Sequence, residues 1–365
     1  MKITRVETLV VNLPMVIDGA TPMLGGRART SIDTLLVRLE TDAGITGWGE
    51  AFGHRIFHAT KAALDTLLGP MCVGRDPRAI SSLTDDLQRV LHGVGRNGPT
   101  IYALSGIDIA LWDIAGKIAG QPLYRLLGGS PRADLPAYAS LLRYGTAEGV
   151  AHYTAQALAR GYRHIKLHEI TVPEVKAARD VAGPGVPIMV DTNCPWTVAE
   201  ALAMARRLAP LDLHWLEEPV WPPENVAGLA EVRARGGIAT AAGENYGTVW
   251  DFRRAFEAGA LTYAQPSVTK IGGVTELRRV MTVAEAFGVE VVPHSAYFGP
   301  GLLASIHCIA AMPRESLVER FYCDFDDNPL GEAIQPRQGR IAVPQGPGLG
   351  VDPDLKLLDK LRVTC

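Results

Sequence analysis

The chain has 365 residues, 47% of them hydrophobic and 21% charged, with a formal net charge of −3. That length exceeds one ordinary domain and leaves room for a barrel with a smaller partner, and the composition is that of a soluble globular protein. A charge so close to balance argues against a nucleic-acid partner or an anionic membrane surface. Five cysteines, Cys72, Cys194, Cys308, Cys323 and Cys365, are scattered with no CxxC pair, which fits reduced thiols in a cytoplasm. The opening residues, Met1 to Glu7, hold no apolar signal core, and no apolar run of about 18 residues predicts a membrane span.

Residues 1–13 alternate like a strand, with Ile3, Val6, Leu9 and Val11 among polar neighbours. A loop from Pro14 to Arg29 follows, holding Gly25-Gly26, Arg27 and Arg29. Residues 32–40 predict a second strand. Thr41 to Gly44 is a turn, and Ile45 to Glu50 its hairpin partner. A second loop, Ala51 to His58, carries His54 and His58. From Thr60 to about Gly120 the period becomes helical, with a mostly buried helix over Ser105–Lys117 that Gly120-Gln121-Pro122 ends. Strands followed by helices without alternation predict an α+β domain over residues 1–130.

At about Leu135 the pattern changes to strand-helix alternation, running to residue 326. Ala-rich helices are expected at Glu148–Arg160, Thr197–Leu208 and Val274–Phe287. Seven or eight such units make a barrel, so the second domain, 131–326, is expected to be a TIM-like (β/α)7β barrel. The Pro/Gly-rich remainder, 327–365, is expected to pack back on the first domain.

Several barrel strands stop on charge. Ile188 to Asp191, His214 to Glu217 and Ala239 to Glu244 are apolar runs ending in carboxylates, and Asp191, Glu217 and Glu244 fall roughly 25 residues apart, one strand-plus-helix unit each. Lys166 and His168 precede them; Ser267, His294 and Glu319 continue the beat. Residues two apart on a strand share a face, which pairs Lys166 with His168, Asp191 with Asn193 and Trp215 with Glu217. Carboxylates gathered only into ion pairs at a barrel rim would be costly to desolvate. Three converging carboxylates call for a hard divalent cation, first of all Mg²⁺. A metal on a substrate carboxylate makes the proton on the adjacent carbon removable, and Lys166, His168 and His294 are placed to flank such a substrate.

These residues resemble the enolase superfamily, in its mandelate racemase/muconate lactonizing enzyme branch. The resemblance covers nearly the whole chain: Gly47-Trp48-Gly49-Glu50, the helix Ala103–Lys117, Pro122 to Gly129, Trp215 to Pro219, Lys270 to Gly273 and Pro293-His294. It implies that Asp191, Glu217 and Glu244 are metal ligands and that Asn193 belongs to the substrate or metal shell. Glu319 matches the acid that hydrogen-bonds the substrate carboxylate and stabilises an enediolate, and Lys270 a supporting lysine. The first domain would be a cap whose loops, at about 14–30 and 51–58, close over the barrel and select substrate, with Arg27, Arg29, His54 and Tyr297 as candidate contacts. Relatives assemble from identical subunits, so a homo-oligomer is expected.

Two departures stand out. The usual Lys-x-Lys is here Lys166-Leu167-His168, which puts an imidazole at the base position. The aspartate that orients the histidine of the next strand is here Ser267, so His294 would lack the carboxylate that orients the ring and favours its protonated form, though Ser267 can still hydrogen-bond it. Both favour an asymmetric reaction: dehydration of an acid sugar, aldonate or aldarate, to a 2-keto-3-deoxy acid. Racemisation or epimerisation and cycloisomerisation are the alternatives within the branch. A metal-dependent hydrolase is disfavoured because Leu135 to Ser140 has no His-x-His, and a catalytically silent barrel because the ligand set is complete. Val16, Ile17, Met23 and Leu24 leave open an acid less polar than a sugar acid.

Overall fold

The computed structural model describes residues 1–24 and 27–363; Gly25-Gly26, the side chain of Leu24, and Thr364-Cys365 lie outside the described residues. The strand Ile3–Val16 pairs antiparallel with Ser31–Thr41, which pairs antiparallel with Thr46–Ala51. The expected turn closes this hairpin, with Gly44 at φ 75°, a left-handed geometry that glycine adopts without strain. In Gly47-Trp48-Gly49-Glu50 the strand alternation divides the labour. Gly47 and Gly49 meet the long helix Pro99–Ala119 backbone to backbone: a Cβ on Gly49 would lie 1.9 Å from the Gly106 oxygen. On the opposite face Trp48 joins a core with Leu9, Val11, Leu36 and Leu358. The helix begins on Pro99 and stops at Gly120, the punctuation that the sequence carries.

The second unit is a parallel barrel of eight strands and seven helices, (β/α)7β. The strands are Asp134–Ser140, Ile165–Leu167, Ile188–Asp191, Leu213–Glu217, Thr240–Ala242, Tyr263–Ala264, Glu290–Val291 and Val318–Phe321. The first seven pair in chain order, and the eighth pairs with the first. The seventh and eighth strands meet through side chains: Ser295 Oγ donates to the Glu319 carbonyl at 2.9 Å and Ser316 Oγ to the Val291 carbonyl at 3.1 Å. The Ala-rich helices fall at Ala147–Ala159, Val198–Leu208 and Gly273–Phe287. Thr197 caps the second of these with a reciprocal Thr-Glu box through Glu200.

The C-terminal segment touches both units. Arg340–Ala342 adds antiparallel to the first barrel strand. Gly348 exchanges backbone hydrogen bonds with Gln121 and Leu123 at the end of the long cap helix, and the Val363 N–H donates to Val10 at 2.8 Å. Cap and barrel are also joined at Glu50, whose carboxyl accepts the Gly301 N–H at 2.8 Å where the helix Pro300–Ala310 begins. Among the described residues no helix is long and apolar enough to cross a membrane.

Candidate active site

The barrel's register brings the charged strand ends together. Asp191 lies beside Glu217 across the third and fourth strands, and Glu217 beside Ala241 of the fifth. Asp191, Glu217 and Glu244 each present an oxygen within 4.8 Å of the others. Lys166, fully buried, reaches three acids: Glu319 Oε1 at 2.8 Å, Glu217 Oε1 at 3.0 Å and Asp191 Oδ2 at 3.3 Å. The second oxygen of Glu217 accepts from Trp215 Nε1 at 3.0 Å and Gln265 Nε2 at 2.8 Å. The Asp191–Asn193 pairing arises differently from the expected strand alternation. The strand stops at Asp191 and Asn193 takes φ 54°, so its own N–H and its Nδ2 both fold back on Asp191 Oδ1, at 3.0 and 2.9 Å. Non-glycine residues with positive φ also sit at Cys194 and Glu218; such strain gathers at sites that the surrounding fold holds in place.

The electrostatics follow from burial against charge. Burial disfavours the Lys166 ammonium, but Glu217, Glu319 and Asp191 hold it charged, well above the usual lysine range. Burial also opposes ionisation of Glu319 and of Asp191, yet Lys166 with His294 brings Glu319 down to about 2, and Lys166 with His168 holds Asp191 low. Glu217 and Glu218 go the other way: burial first, then the like charge of Asp191 on Glu217 and of Glu244 on Glu218, push both well above the carboxylate range. Five carboxyls thus crowd the strand ends against the ammonium groups of Lys166 and Lys270. Two of the five are driven toward the neutral form, as happens where buried acids outnumber cations. A set of three carboxylate oxygens with no sulfur is the donor chemistry of a hard divalent ion, so these residues fit the cation that the sequence implies.

Two imidazoles face this cluster. His168 has Nδ1 against the Leu141 carbonyl and Nε2 at 3.3 Å from Asp191 Oδ2. His294 has Nε2 at 3.1 Å from Glu244 Oε2, and Nδ1 at 3.2 Å from Tyr297 Oη and 3.4 Å from Ser267 Oγ. Ser267 and Tyr297 hydrogen-bond one another, so two hydroxyls stand where the resemblance would put an aspartate. Burial lowers the His294 pKa, against the pull of Glu244 and Glu319.

A cavity of about 160 Å³ lies between cap and barrel, and His168, Asn193, Glu244, Lys270 and His294 line it from the barrel side. The cap contributes Met23, Arg29, Phe52 and His54. Lys270 Nζ stacks 4.4 Å from the Phe52 ring and bonds Asn245 Oδ1 at 3.0 Å. The remaining sequence candidates fall elsewhere. Arg27 is exposed on the short strand Arg27–Ala28 and takes no part in the lining; Arg29, past the strand's end, does. Glu319 and Tyr297 are buried and do not line the cavity. His58 is exposed, its ring tilted against Phe57. Sequence reasoning passed over Arg143, Leu142 and Phe321. Arg143 lies three residues past the first barrel strand, so the rule of one polar group per strand end, applied to that strand too, would have found it.

Comparison with known proteins agrees with this geometry. A model described as enolase C-terminal domain-like matches residues 149–357, and one for the mandelate racemase/muconate lactonizing enzyme N-terminal domain matches residues 16–128. The chain is 33% identical over 384 residues to the D-galactarolactone cycloisomerase of Agrobacterium fabrum, covering 100% of this chain and 99% of that protein. It is 31% identical over 337 residues to the arabinonate dehydratase of Saccharolobus solfataricus, 89% of each. A solved racemase from Streptomyces coelicolor with bound magnesium matches with a TM-score of 0.86 and 32% identity, over 99% of this chain and 100% of that one.

Proposed function

The chain belongs to the mandelate racemase/muconate lactonizing enzyme branch of the enolase superfamily, and from that premise we propose that it is a Mg²⁺-dependent enzyme that removes the proton α to a carboxylate and cleaves the C–O bond at the β carbon of an acid sugar. Asp191, Glu217 and Glu244 would hold the ion. When bound, Mg²⁺ neutralises the substrate carboxylate and so acidifies the neighbouring C–H. The leaving oxygen is a hydroxyl in a dehydration, which gives a 2-keto-3-deoxy acid, or a ring oxygen in a cycloisomerisation. The same two bonds break in either case, and the dehydratase and cycloisomerase among the relatives support both outcomes.

The observation that carries the acid/base assignment is what holds each Nδ1. A carbonyl oxygen only accepts, so the Leu141 carbonyl fixes a proton on His168 Nδ1, and Nε2, 3.3 Å from Asp191 Oδ2, is the nitrogen left to exchange a proton. With Asp191 turned to the cation, Nε2 would be free to take the α-proton, and His168 is therefore the base. The ionised Glu244 carboxylate likewise only accepts, so the His294 proton sits on Nε2, and Nδ1 accepts from the hydroxyls of Tyr297 and Ser267. A neutral imidazole N–H can donate to a developing oxyanion, and His294 does so to the leaving oxygen. Lys166 is no base: it is fully buried and held charged by three acids, and it positions Asp191, Glu217 and Glu319. A racemase would need a second lone pair facing the α carbon, which His294 does not offer.

Incubation of acid sugars with enzyme and Mg²⁺ in D₂O tests this. Deuterium at the α carbon of recovered substrate and a keto-acid product are expected. His168→Asn should slow the exchange by orders of magnitude, while His294→Asn should keep exchange and lose product. Exchange at the parent rate in His168→Asn refutes the assignment. On the same reading the enzyme works in the cytoplasm, where its unpaired cysteines Cys72, Cys194, Cys308 and Cys323 stay reduced, and as an assembly of identical subunits.

A further inference from the structure

We propose that Arg29 and Arg143 form a second anion subsite in the cavity, and that the substrate is a diacid: an aldarate, or its lactone, with one carboxylate at the acid cluster and the other on these two guanidiniums. The first half rests on the reading above; the second rests on the arginines themselves.

Both line the same cavity, and both use neutral partners. Arg29 Nη2 lies 3.1 Å from His54 Nε2, and its guanidinium stacks 4.8 Å from the Phe321 ring. An arginine N–H can only donate, so His54 accepts and is neutral; burial first, then the charge of Arg29, hold its pKa well below the usual range. Arg143 donates to the carbonyl oxygens of His168 and Thr192. Among the described residues no carboxylate lies within 4.0 Å of either guanidinium. Other arginines do find acids, as in Arg160–Asp324 at 2.6 Å and Arg340–Asp134 at 2.7 Å, while Arg132 and Arg179, which do not line this cavity, bond carbonyl oxygens. A guanidinium keeps its charge at every working pH, so two of them facing one cavity, with Asp33 acting on Arg29 only from beyond contact distance, can take an anion between them.

The backbone presents them together. The Met23 N–H donates to the Arg143 carbonyl at 3.0 Å, and the Arg29 N–H to the Pro22 carbonyl at 2.8 Å. One cap loop therefore fixes the position of both. The cavity is polarised as a result, with acids and their cation along the barrel's strand ends and two cations beside the loop. A mono-acid with a terminal hydroxyl satisfies the first group and leaves the second uncompensated. An acid carboxylated at both ends satisfies both.

Calorimetry on the Mg²⁺-loaded full chain tests this with matched pairs, galactarate against galactonate and the gluco and manno pairs alike, which differ only in the terminal CO₂⁻ or CH₂OH. Charge-assisted hydrogen bonds of this kind predict that at least one aldarate binds about tenfold or more tightly than its aldonate. Arg29→Gln and Arg143→Gln should each bring that ratio to within about twofold. Equal affinity within every pair, no aldarate binding at all, or a ratio that survives both substitutions overturns the proposal. Chelation with EDTA separates the two readings, because it should weaken mono- and diacids alike. Binding indifferent to EDTA would count against the metal cluster, while the ratio within a pair still reports on the arginines.

Discussion

Glu50→Gln is a test of how the cap is latched to the barrel. Glu50 is 4% exposed, its carboxyl accepts the Gly301 N–H at 2.8 Å, and burial pushes its pKa up from 4.5 to about 8 despite hydrogen bonds from Gly301 and Gly299. The folded state therefore prefers the protonated acid. A group whose pKa is raised on folding contributes stability that is complete below the unfolded value and is lost as pH climbs toward the folded one. The Glu50 contribution should fall from pH 4.5 upward and level off above about pH 8. At about 1.36 kcal/mol for each pH unit between those two values, the window from about pH 5.5 to 7.5 should remove about 2–3 kcal/mol of that contribution. Glutamine does not titrate and keeps an oxygen for the Gly301 N–H. Urea unfolding of both proteins across that window should show the variant gaining about 2–3 kcal/mol on the wild type as pH rises. A difference that stays flat with pH would mean that Glu50 is ionised in the folded protein and that the latch is misread.

Lys166→Met leaves Asp191, Glu217 and Glu319 without their buried ammonium and should cost about 3–5 kcal/mol in metal-free buffer by denaturant unfolding; a loss under 1 kcal/mol would contradict the triple ion pair. His168→Asn should slow α-proton exchange by about 10²–10⁴-fold, measured by NMR in D₂O. Ser267→Asp places a carboxylate beside His294 Nδ1, now 3.4 Å from the Ser267 hydroxyl, and should raise the His294 pKa. The upward shift is readable in the ring's NMR titration, and an unchanged titration would show that the hydroxyl pair does not set its charge.

The catalytic end of the barrel was legible because the fold repeats. Asp191, Glu217 and Glu244 each close an apolar run of strand length, and a closed sheet leaves such residues no direction but one mouth. What sequence could not show is where the backbone leaves the extended form. Asn193 reaches Asp191 through a positive φ, and His54 holds φ 29° in the cap loop, so neither obeys alternation. For the same reason Arg27 and Arg29, two residues apart, face different surroundings: one is exposed and the other lines the cavity. Lys166 and His168 share a strand face, as alternation predicts. Only the packed structure separates them, burying the ammonium among three acids and leaving the imidazole at the cavity. Tyr297 was singled out as a contact for substrate. Its hydroxyl turns instead toward Ser267 and His294 Nδ1, a tertiary pairing that no spacing rule encodes.

Titration of the metal-free chain with Mn²⁺, followed by electron paramagnetic resonance, examines the cation site without reference to any substrate. The wild type is expected to bind one ion per chain in competition with Mg²⁺, and Asp191→Asn, Glu217→Gln and Glu244→Gln each to weaken that binding by at least tenfold. One ion bound with undiminished affinity in all three variants would mean that these carboxylates hold no metal, and the chemistry assigned to this barrel would fall with them.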